Sequence, residues 1–564
     1  MNTLKRFRAP GIYERWMLVC VALAALLRLG LIYFNWPYTD SDEGNMGVLA
    51  LHVAFQGQHP VFFYGGNYLG PLEGYAAALL FRLFGSSLFV LRLPLVLFFI
   101  VFLLGIYYLV RLLYGSRRYA LASVILLGLG SPDVLFLQLR ASGEYPELEM
   151  FAVLMCWLAL GLALTTAQWR QAGVGARWKR IGLYALLGLI VGFSLWVDLL
   201  AAPFVLAMGL LLLFFCWREL IRWPGLSLLA GFVVGAYPMI YYNLTAPWSQ
   251  NSWNVLLQLR ASGEAQFMVS HLTWINKLAG TFFVALPMAT SGGWGCTPSV
   301  FPPAGSSATT LPCVITQGSW SAGYLLFWLV AACIALCAIW RLARPWFARL
   351  KQAARIDEEA RQQLIRHCGQ LVVLVSVGLT LVLYTESPSP AVASDTSFRY
   401  LTCLLLALPV LLWPLWRGLG SSRRSAKWWV RAILLLLVAA TLTTGMVRSL
   451  LQMPTTQARY EEQQTLVQDL QQVNATRLYS DYWTCNILIF LSKEKIICSA
   501  VETDMTPAQD RYLPYRVIVH ETPHPGYIFA VDSPQERIMQ QRVAADPTHY
   551  RVYRFFEYMV YQEI

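Results

Sequence analysis

The sequence predicts a mainly α-helical, polytopic membrane protein with a small C-terminal α/β domain. Of the 564 residues, 57% are apolar or aromatic and only 13% are charged, whereas about 25% are charged in an ordinary soluble domain. The mean hydropathy is +0.50. This balance excludes a soluble enzyme, a disordered tail protein and a fibrous repeat, so lipid must solvate most of the chain.

Apolar runs of roughly 18–25 residues indicate the membrane-spanning helices. The first run follows a basic N-terminal segment that ends at Arg15, and no small-residue cleavage site comes after it, so it is predicted to be a retained anchor. An odd number of crossings puts the two chain ends on opposite sides. The eleven predicted spans are 16–34, 88–113, 119–137, 147–166, 181–198, 200–216, 224–243, 321–341, 368–385, 399–416 and 429–450.

Charge predicts the orientation of these spans. The net charge is +12, and the excess of basic residues lies before residue 450. Most of these basic residues lie in every second segment between spans, and these segments are all on the same side of the membrane. The positive-inside rule therefore predicts a multi-pass protein of the cytoplasmic membrane with a cytoplasmic N-terminus and an extracytoplasmic C-terminal domain. Most acidic residues before residue 450 fall on the outward side, which suggests a carboxylate-lined site there. No separate basic domain exists, so nucleic acid is not an expected partner; the bilayer is.

The predicted domains are a transmembrane domain at 1–450 and a soluble α/β domain at 451–564. Two short apolar stretches at 44–56 and 71–84 are predicted to be amphipathic helices lying in the outer interface, and residues 244–320 form a large outer loop. In the C-terminal domain, strand-like runs at 477–480, 495–500, 527–531 and 550–556 alternate with helical runs at 483–491 and 535–544.

Cysteine usage fits this sidedness. Most of the cysteines lie in apolar helices, where a thiol behaves as a small hydrophobe. Cys296 and Cys313 lie in the large outer loop and are a plausible disulfide in an oxidising compartment. A second pair, Cys485 and Cys498, lies in the C-terminal domain. No CxxC sequence is present, so a zinc or redox motif is not expected.

One acidic cluster is the best candidate for chemistry. The chain has no GxxxxGK[ST], HExxH or GxSxG motif, which argues against a P-loop pump, a zinc protease of that type and a serine hydrolase of the usual pattern. Asp40, Ser41, Asp42 and Glu43 follow the first predicted span. In the simpler interpretation Ser41 or Asp42 caps the helix 44–56. An Asp-x-Asp sequence can also hold a divalent metal, so such an ion is possible, and no other cofactor is indicated.

A resemblance to a known family extends over most of the chain in consistent order. The matching motifs are Asp42-Glu43, Phe62-Phe63-Tyr64-Gly65, Tyr68-x-Gly-x-Leu72-Glu73-x-Tyr75, Arg92-Leu-Pro, Arg140…Gly143…Tyr145-x-Glu147, Trp196-x-Asp198, Phe398-Arg399-Tyr400-Leu401 and Asp481-Tyr482-Trp483. In these motifs the chain resembles bacterial membrane glycosyltransferases of the GT-C class, in particular the protein-mannosyltransferase-like group also labelled family 39.

This resemblance implies transfer of a sugar, with inversion, from a polyprenyl-phosphate donor to an acceptor hydroxyl on a protein, lipid or glycan at the outer membrane face. Such a transfer needs a base for the acceptor proton, and the matching acid is Asp42, with Asp40 in reserve and Glu43 positioning the base or acceptor. The departing phosphate needs a cation and no acid. Arg399, beside Tyr400, fits that role; its simpler interpretation is an interfacial snorkelling arginine.

The remaining matched residues are candidates for substrate binding. Each also has a simpler structural interpretation: the polar face of an interfacial helix for Glu73, solvation of helix ends for Glu147 and Asp198, and a buried aromatic pair for Tyr482 and Trp483. The full set is Tyr64, Tyr68, Glu73, Glu147, Asp198, Asp481, Tyr482 and Trp483. Two other classes remain open, a transporter or flippase for a lipid-linked or anionic solute and a catalytically inactive binding relative.

Overall fold

The computed structural model describes residues 11–143, 145–169, 173–258, 273–293, 310–349, 358–420 and 425–564. The chain forms two compact units. The helical unit comprises residues 1–27, 98–138 and 145–449, and the mixed unit comprises 28–97, 139–144 and 450–564. The mixed unit therefore contains the whole of the predicted C-terminal domain together with two earlier segments of the chain.

Helices dominate the part of the chain that the structure describes. Up to residue 245 they are α1 (Ile12–Tyr33), α2 (Ser41–Leu51), α3 (Leu72–Phe84), α4 (Leu88–Tyr114), α5 (Arg117–Gly128), α6 (Pro132–Leu139), α7 (Tyr145–Trp169), α8 (Val174–Val197), α9 (Ala202–Leu220), α10 (Trp223–Gly235) and α11 (Tyr237–Thr245). The longer helices after them are α12 (Trp274–Gly280), α13 (Thr310–Arg349), α14 (Glu358–Glu386), α15 (Leu408–Arg417), α16 (Ala426–Leu451), α17 (Met453–Gln472), α18 (Tyr482–Leu491), α19 (Pro514–His520) and α20 (Pro534–Ala545).

The predicted spans coincide with long apolar helices. Within the described ranges, nine helical segments are long and apolar enough to cross a membrane, and the number rises to eleven if each of two bent pairs is one span. The bends are 86° between α5 and α6 and 63° between α10 and α11. Pro132 begins α6 and Pro238 lies in the first turn of α11. Proline is tolerated in a first turn but cannot continue a preceding helix, which accounts for both breaks.

Glycines bring two helices of the helical unit into close contact. Gly188 and Gly192 on α8 face Gly231 and Gly235 on α10, and both pairs have the GxxxG spacing. A Cβ added at Gly188 or Gly231 would stand 2.0 Å from a carbonyl oxygen of the facing helix. Only hydrogen fits there. Small residues at this spacing let backbones approach closely inside a membrane, where lipid is as apolar as leucine.

The outer-loop region departs from a continuous loop where it is described. Its second half contains α12, a π-helical turn at Thr281–Ala285 and a short helix at Leu286–Ala289. The predicted Cys296–Cys313 pair lies outside the described residues because Cys296 is not among them. Further on, the predicted span 399–416 begins as a ten-residue 3-10 helix, Phe398–Ala407, before it continues as α15.

A five-stranded mixed sheet forms the C-terminal part of the mixed unit. Its strands are β1 (Arg477–Ser480), β2 (Ile497–Ala500), β3 (Gly526–Ala530), β4 (Tyr550–Phe555) and β5 (Tyr558–Glu563), in the order β2-β1-β3-β5-β4. The first three are parallel, and β5 pairs antiparallel with β3 and β4. The four predicted strands are present, whereas β5, α17 and α19 were not predicted. A disulfide joins Cys485 on α18 to Cys498 on β2, with 5.2 Å between their Cα atoms.

The expected amphipathic helix after the first span is wrong for α2. All eleven of its residues are buried, so it has no solvent-facing side. It packs instead against α18 of the C-terminal part. A Cβ on Gly44 would stand 2.6 Å from the backbone of Asn486, and one on Gly47 would stand 2.4 Å from the Phe490 ring. These glycines let α2 enter the mixed unit's core as a central element.

Candidate functional site

The acidic cluster forms the start of α2. Asp40 has an extended backbone and caps the helix, since its Oδ1 accepts a hydrogen bond of 3.0 Å from the backbone N–H of Glu43. The cap is therefore Asp40, and the expectation that Ser41 or Asp42 caps the helix is wrong. Ser41 instead donates to the carbonyl oxygen of Tyr482, 2.5 Å away. Both contacts fix the direction in which Asp42 and Glu43 project.

Glu43 lies in a buried ion pair. Arg92 donates two hydrogen bonds to it, 2.7 Å from Nε to Oε1 and 2.5 Å from Nη2 to Oε2, and both side chains are fully buried. Oε1 also accepts from the backbone N–H of Ala141 at 3.0 Å. Both carboxylate oxygens of Glu43 are therefore occupied and enclosed, and its role in positioning the base or the acceptor stays a prediction. Its charge neutralises Arg92 in the interior.

Three predicted site acids contact one segment, residues 140–143. Asp40 pairs with Arg140 at 2.5 Å, Glu43 accepts from the backbone of Ala141, and Glu73 accepts from the backbone N–H of Gly143 at 2.8 Å. Gly143 has φ +130°, a conformation that side-chain-bearing residues rarely adopt. Burial raises the pKa of Asp40 despite the opposing charge of Arg140. Glu43 and Glu73 thus bind the backbone of this segment and Asp40 binds the Arg140 side chain. Glu73 is buried, so it does not lie on the polar face of an interfacial helix.

Asp42 has a different environment. Its Oδ1 accepts a 2.5 Å hydrogen bond from the Tyr482 hydroxyl and a 3.0 Å hydrogen bond from Nη2 of Arg511. Arg511 Nε also donates to the Tyr482 oxygen at 2.7 Å, which closes a triangle of contacts. The Asp42 side chain is 11% exposed, against 0% for Glu43. Within the described part of the chain, Oδ2 of Asp42 has no hydrogen-bond partner, so one oxygen is fixed and the other is available.

Arg511 was not predicted from the sequence, although one matched motif surrounds it. The guanidinium lies 5.5 Å from the centre of the Phe63 ring and 5.6 Å from that of Tyr482. Gly65 has φ +77°, and a Cβ there would stand 2.7 Å from Cδ of Arg511. The Phe62–Gly65 motif therefore packs against the Arg511 side chain. This motif was the available signal in the sequence, because an aromatic ring beside a glycine can accommodate an arginine from elsewhere in the chain.

A second polar network is centred on His52, another residue that sequence analysis missed. The ring is buried, with Nδ1 2.8 Å from the Tyr64 hydroxyl and Nε2 2.9 Å from Oε1 of Glu494. Tyr515 lies 3.0 Å from the same Nε2 and donates to Glu494 at 2.8 Å. Tyr64 also donates to Gln58 at 2.8 Å. Tyr64 thus belongs to the packing of His52.

The other predicted residues of the mixed unit divide by exposure. Asp481 caps α18 by accepting from the backbone N–H groups of Trp483 and Thr484, so its carboxylate is used structurally. Trp483 is 60% exposed, which excludes the buried aromatic pair, while Tyr482 is half-buried. Tyr68 is also half-buried. Trp483 stands edge-on to Tyr482, with 5.1 Å between ring centres.

Four predicted residues belong to the helical unit. Glu147 is fully buried in the first turn of α7, and Asp198 is buried and caps the short turn after α8 by accepting from Leu200. Neither is a solvated helix end, contrary to the simpler interpretation. Arg399 is half-buried at the start of the 3-10 segment, 5.5 Å from the centre of the Tyr400 ring. In the described ranges, no group of three or more His, Cys, Asp or Glu side chains is placed to hold a metal ion.

The fold and these contacts define a polytopic helical membrane protein with an α/β C-terminal sheet and a carboxylate–tyrosine–arginine cluster. No protein-family model and no curated protein matches the chain. Solved structures are similar over nearly its whole length. The oligosaccharyltransferase AglB of Archaeoglobus fulgidus, in complex with an inhibitory peptide and a dolichol-phosphate, matches 96% of this chain and 73% of its own at a TM-score of 0.49 and 12% identity. ArnT of Cupriavidus metallidurans, bound to undecaprenyl phosphate, matches 98% of each chain at a TM-score of 0.45 and 14% identity.

Proposed function

We propose that this chain is a membrane glycosyltransferase that moves a sugar from a polyprenyl-phosphate donor to an acceptor hydroxyl, with inversion at the anomeric carbon and Asp42 as the base. The proposal extends the sequence resemblance. The observation that carries it is the state of Asp42, whose Oδ1 is held by Tyr482 and Arg511 while its Oδ2 has no hydrogen-bond partner among the described residues.

This arrangement suits a general base. Two donors on Oδ1 prevent the carboxylate from rotating, so Oδ2 keeps one direction toward an incoming hydroxyl. As the acceptor oxygen attacks the anomeric carbon, its proton passes to Oδ2 and the glycosyl–phosphate bond breaks on the opposite face. In the neighbouring acids Asp40 and Glu43 both carboxylate oxygens have partners, which favours Asp42 as the base.

The leaving group defines the second requirement. A departing polyprenyl phosphate is a weak base, so a second carboxylic acid is unnecessary, unlike in glycoside hydrolysis. It requires positive charge and hydrogen-bond donors, and an arginine supplies both in a planar fork. We assign this role to Arg399, with Tyr400 beside it, from the resemblance. The proposed setting is the outer face of the cytoplasmic membrane, and the acceptor is a hydroxyl of a protein, lipid or glycan.

The test uses the full chain in lipid nanodiscs with a panel of radiolabelled polyprenyl-phosphate sugars, and follows the release of free polyprenyl phosphate in the presence of mixed acceptors. We expect release with the wild-type chain and a loss of at least about a hundredfold in Asp42→Asn, the range in which removal of a general base falls. The thermal stability of Asp42→Asn should stay near that of wild type, because asparagine still accepts from Tyr482.

Asp532→Asn is the matched control. Asp532 is exposed in the same unit at φ +63°, which asparagine also adopts, so this variant should transfer at the wild-type rate. Wild-type transfer by Asp42→Asn would overturn the assignment of the base. Tight donor binding with no release from any donor would point to a binding relative, and vectorial movement of the intact lipid-linked sugar would point to a flippase.

A further inference from the structure

A large cavity lies in the helical unit, and its lining includes none of the predicted site residues. Its volume is about 880 Å³, and it lies where α7 and α9 end, α14 begins and α13 passes. The predicted orientation puts all of these helix ends at the cytoplasmic face of the membrane. The walls include Phe214, Phe215 and Leu364, and three arginines stand among them, Arg218, Arg222 and Arg361. The cavity therefore combines an apolar wall with concentrated positive charge.

The acid in this cavity does not neutralise those arginines. Glu219 is buried and held by Arg180, with Nε to Oε2 at 2.5 Å and Nη2 to Oε1 at 3.0 Å. Thr166 also donates to Glu219. Arg180 is itself fixed by Thr165, 2.7 Å from its Nη1. Since this pair is internally satisfied, its net contribution to the charge of the cavity is zero.

The three arginines of the lining have little opposing charge. Arg361 meets Glu358 at 3.5 Å, and that acid is half-exposed. Arg218 lies over the Trp217 ring at 5.3 Å. Within the described ranges, no carboxylate pairs with the guanidinium of Arg218 or Arg222. Three cations around one concave apolar space favour a ligand that carries phosphate at one end and hydrocarbon at the other.

We propose that this cavity binds the phosphate headgroup of an anionic bilayer lipid, with the acyl chains along the exposed apolar surface of α9. Leu210, Leu213 and Phe214 each expose more than half of their surface on that helix. Basic pockets between membrane helices at the cytoplasmic surface bind such headgroups. The site shares no residue with the Asp42 cluster, so it stands or falls independently of the glycosyltransferase proposal.

The test measures lipid retention by the purified full chain in native mass spectrometry, with phosphatidylglycerol and phosphatidylethanolamine offered in equal amounts. We expect a retained phosphatidylglycerol molecule on the wild type. The triple variant Arg218→Gln/Arg222→Gln/Arg361→Gln should bind it roughly a hundredfold more weakly. The matched control is Arg177→Gln/Lys179→Gln, which removes two exposed cations from the start of α8 outside the cavity and should retain the lipid.

A second variant keeps the charge and removes the space. Ala167 lines the cavity, so Ala167→Trp should reduce phosphatidylglycerol retention at unchanged net charge, even if the triple variant fails to fold. Equal retention of both lipids, or unchanged retention in Ala167→Trp and the triple variant, would overturn the proposal. Displacement of the lipid by millimolar inorganic phosphate would also overturn it, because a free phosphate would then be the occupant.

Discussion

His52 Nε2 lies 2.9 Å from Oε1 of Glu494, which joins the π-helical turn after α2 to the turn before β2. These residues are 442 positions apart in the chain. The ring is buried, and Glu494 has a left-handed backbone with φ +63°. Both nitrogens of the buried imidazole have partners, and the Glu494 carboxylate accepts from three donors. The two residues therefore form a polar network inside the mixed unit, in which each depends on the other for a hydrogen bond.

This network predicts that the stability of the fold decreases in acid. Burial alone would raise the pKa of Glu494, but the hydrogen bonds from His52, Tyr515 and Gln56 outweigh it and leave the pKa below the ordinary 4.5. A carboxyl group whose native pKa is lowered stabilises the fold above its ordinary pKa and loses that contribution as the pH falls through the native pKa. Glu494→Gln should therefore cost about 1.5–3 kcal/mol at neutral pH, with the difference from wild type shrinking below about pH 4.5.

Unfolding of the purified chain followed by intrinsic fluorescence between about pH 7 and pH 3 measures this difference. Glu521→Gln, an exposed glutamate outside the network, serves as the control and should match wild type throughout. A constant gap between Glu494→Gln and wild type across the whole range would show that the ionisation of Glu494 does not stabilise the fold.

A second prediction separates the two adjacent acids of α2. Glu43→Gln leaves Arg92 buried with an uncompensated charge, so we expect a loss of about 3–5 kcal/mol in stability. Asp42→Asn leaves Arg511 20% exposed and should cost far less. Thermal unfolding of both variants, read beside transfer activity, tests the difference. If Asp42→Asn proved as destabilising as Glu43→Gln, Asp42 would be a structural ion-pair residue.

The sequence was informative about spans and strands because both depend on local patterns. Apolar runs of bilayer length predicted the long helices, and short strand-like runs in the C-terminal domain predicted four of the five strands. It was less informative about the site. Asp40, Glu43 and Glu73 share the residue type of a catalytic acid, yet their partners are Arg140, Arg92 and the Gly143 backbone, which sequence order does not bring near them.

The same limit explains the residues that were missed. Arg511 and Glu494 are more than 400 positions from Asp42 and His52, respectively, and neither belongs to a motif. The prediction of an amphipathic helix at α2 was wrong for the same reason, since the helix that covers α2 is also distant in the sequence. Small residues such as those of α2 suit a buried helix when another helix packs on them. Gly44 and Gly47 were the available signal, since glycine inside a helix costs stability unless close packing requires it.

Close packing of α2 on α18 leads to a third prediction. A Cβ on Gly44 would stand 2.6 Å from the backbone of Asn486, which cannot move as a side chain can. Gly44→Ala should therefore lower the unfolding temperature by several degrees, at a cost of about 1–3 kcal/mol. Gly30→Ala in α1 is the matched control, because nothing lies within 4 Å of its added Cβ. The control should be neutral or gain up to about 1 kcal/mol. Equal stability of the two variants would contradict the tight α2–α18 contact.

The last prediction concerns the donor phosphate and Arg399. If its guanidinium contacts the phosphate, Arg399→Ala should weaken donor binding about 10–100-fold, the value of one lost charge-assisted hydrogen bond. Arg399→Lys should recover part of the affinity, because lysine keeps the charge but lacks the planar fork. Equilibrium binding of a radiolabelled polyprenyl-phosphate sugar to the chain in nanodiscs gives these values.

Arg417→Ala, at the far end of the same span, is the control and should bind the donor as the wild type does. A snorkelling arginine would behave differently: Arg399→Ala would then lower thermal stability in the bilayer and leave the donor dissociation constant unchanged.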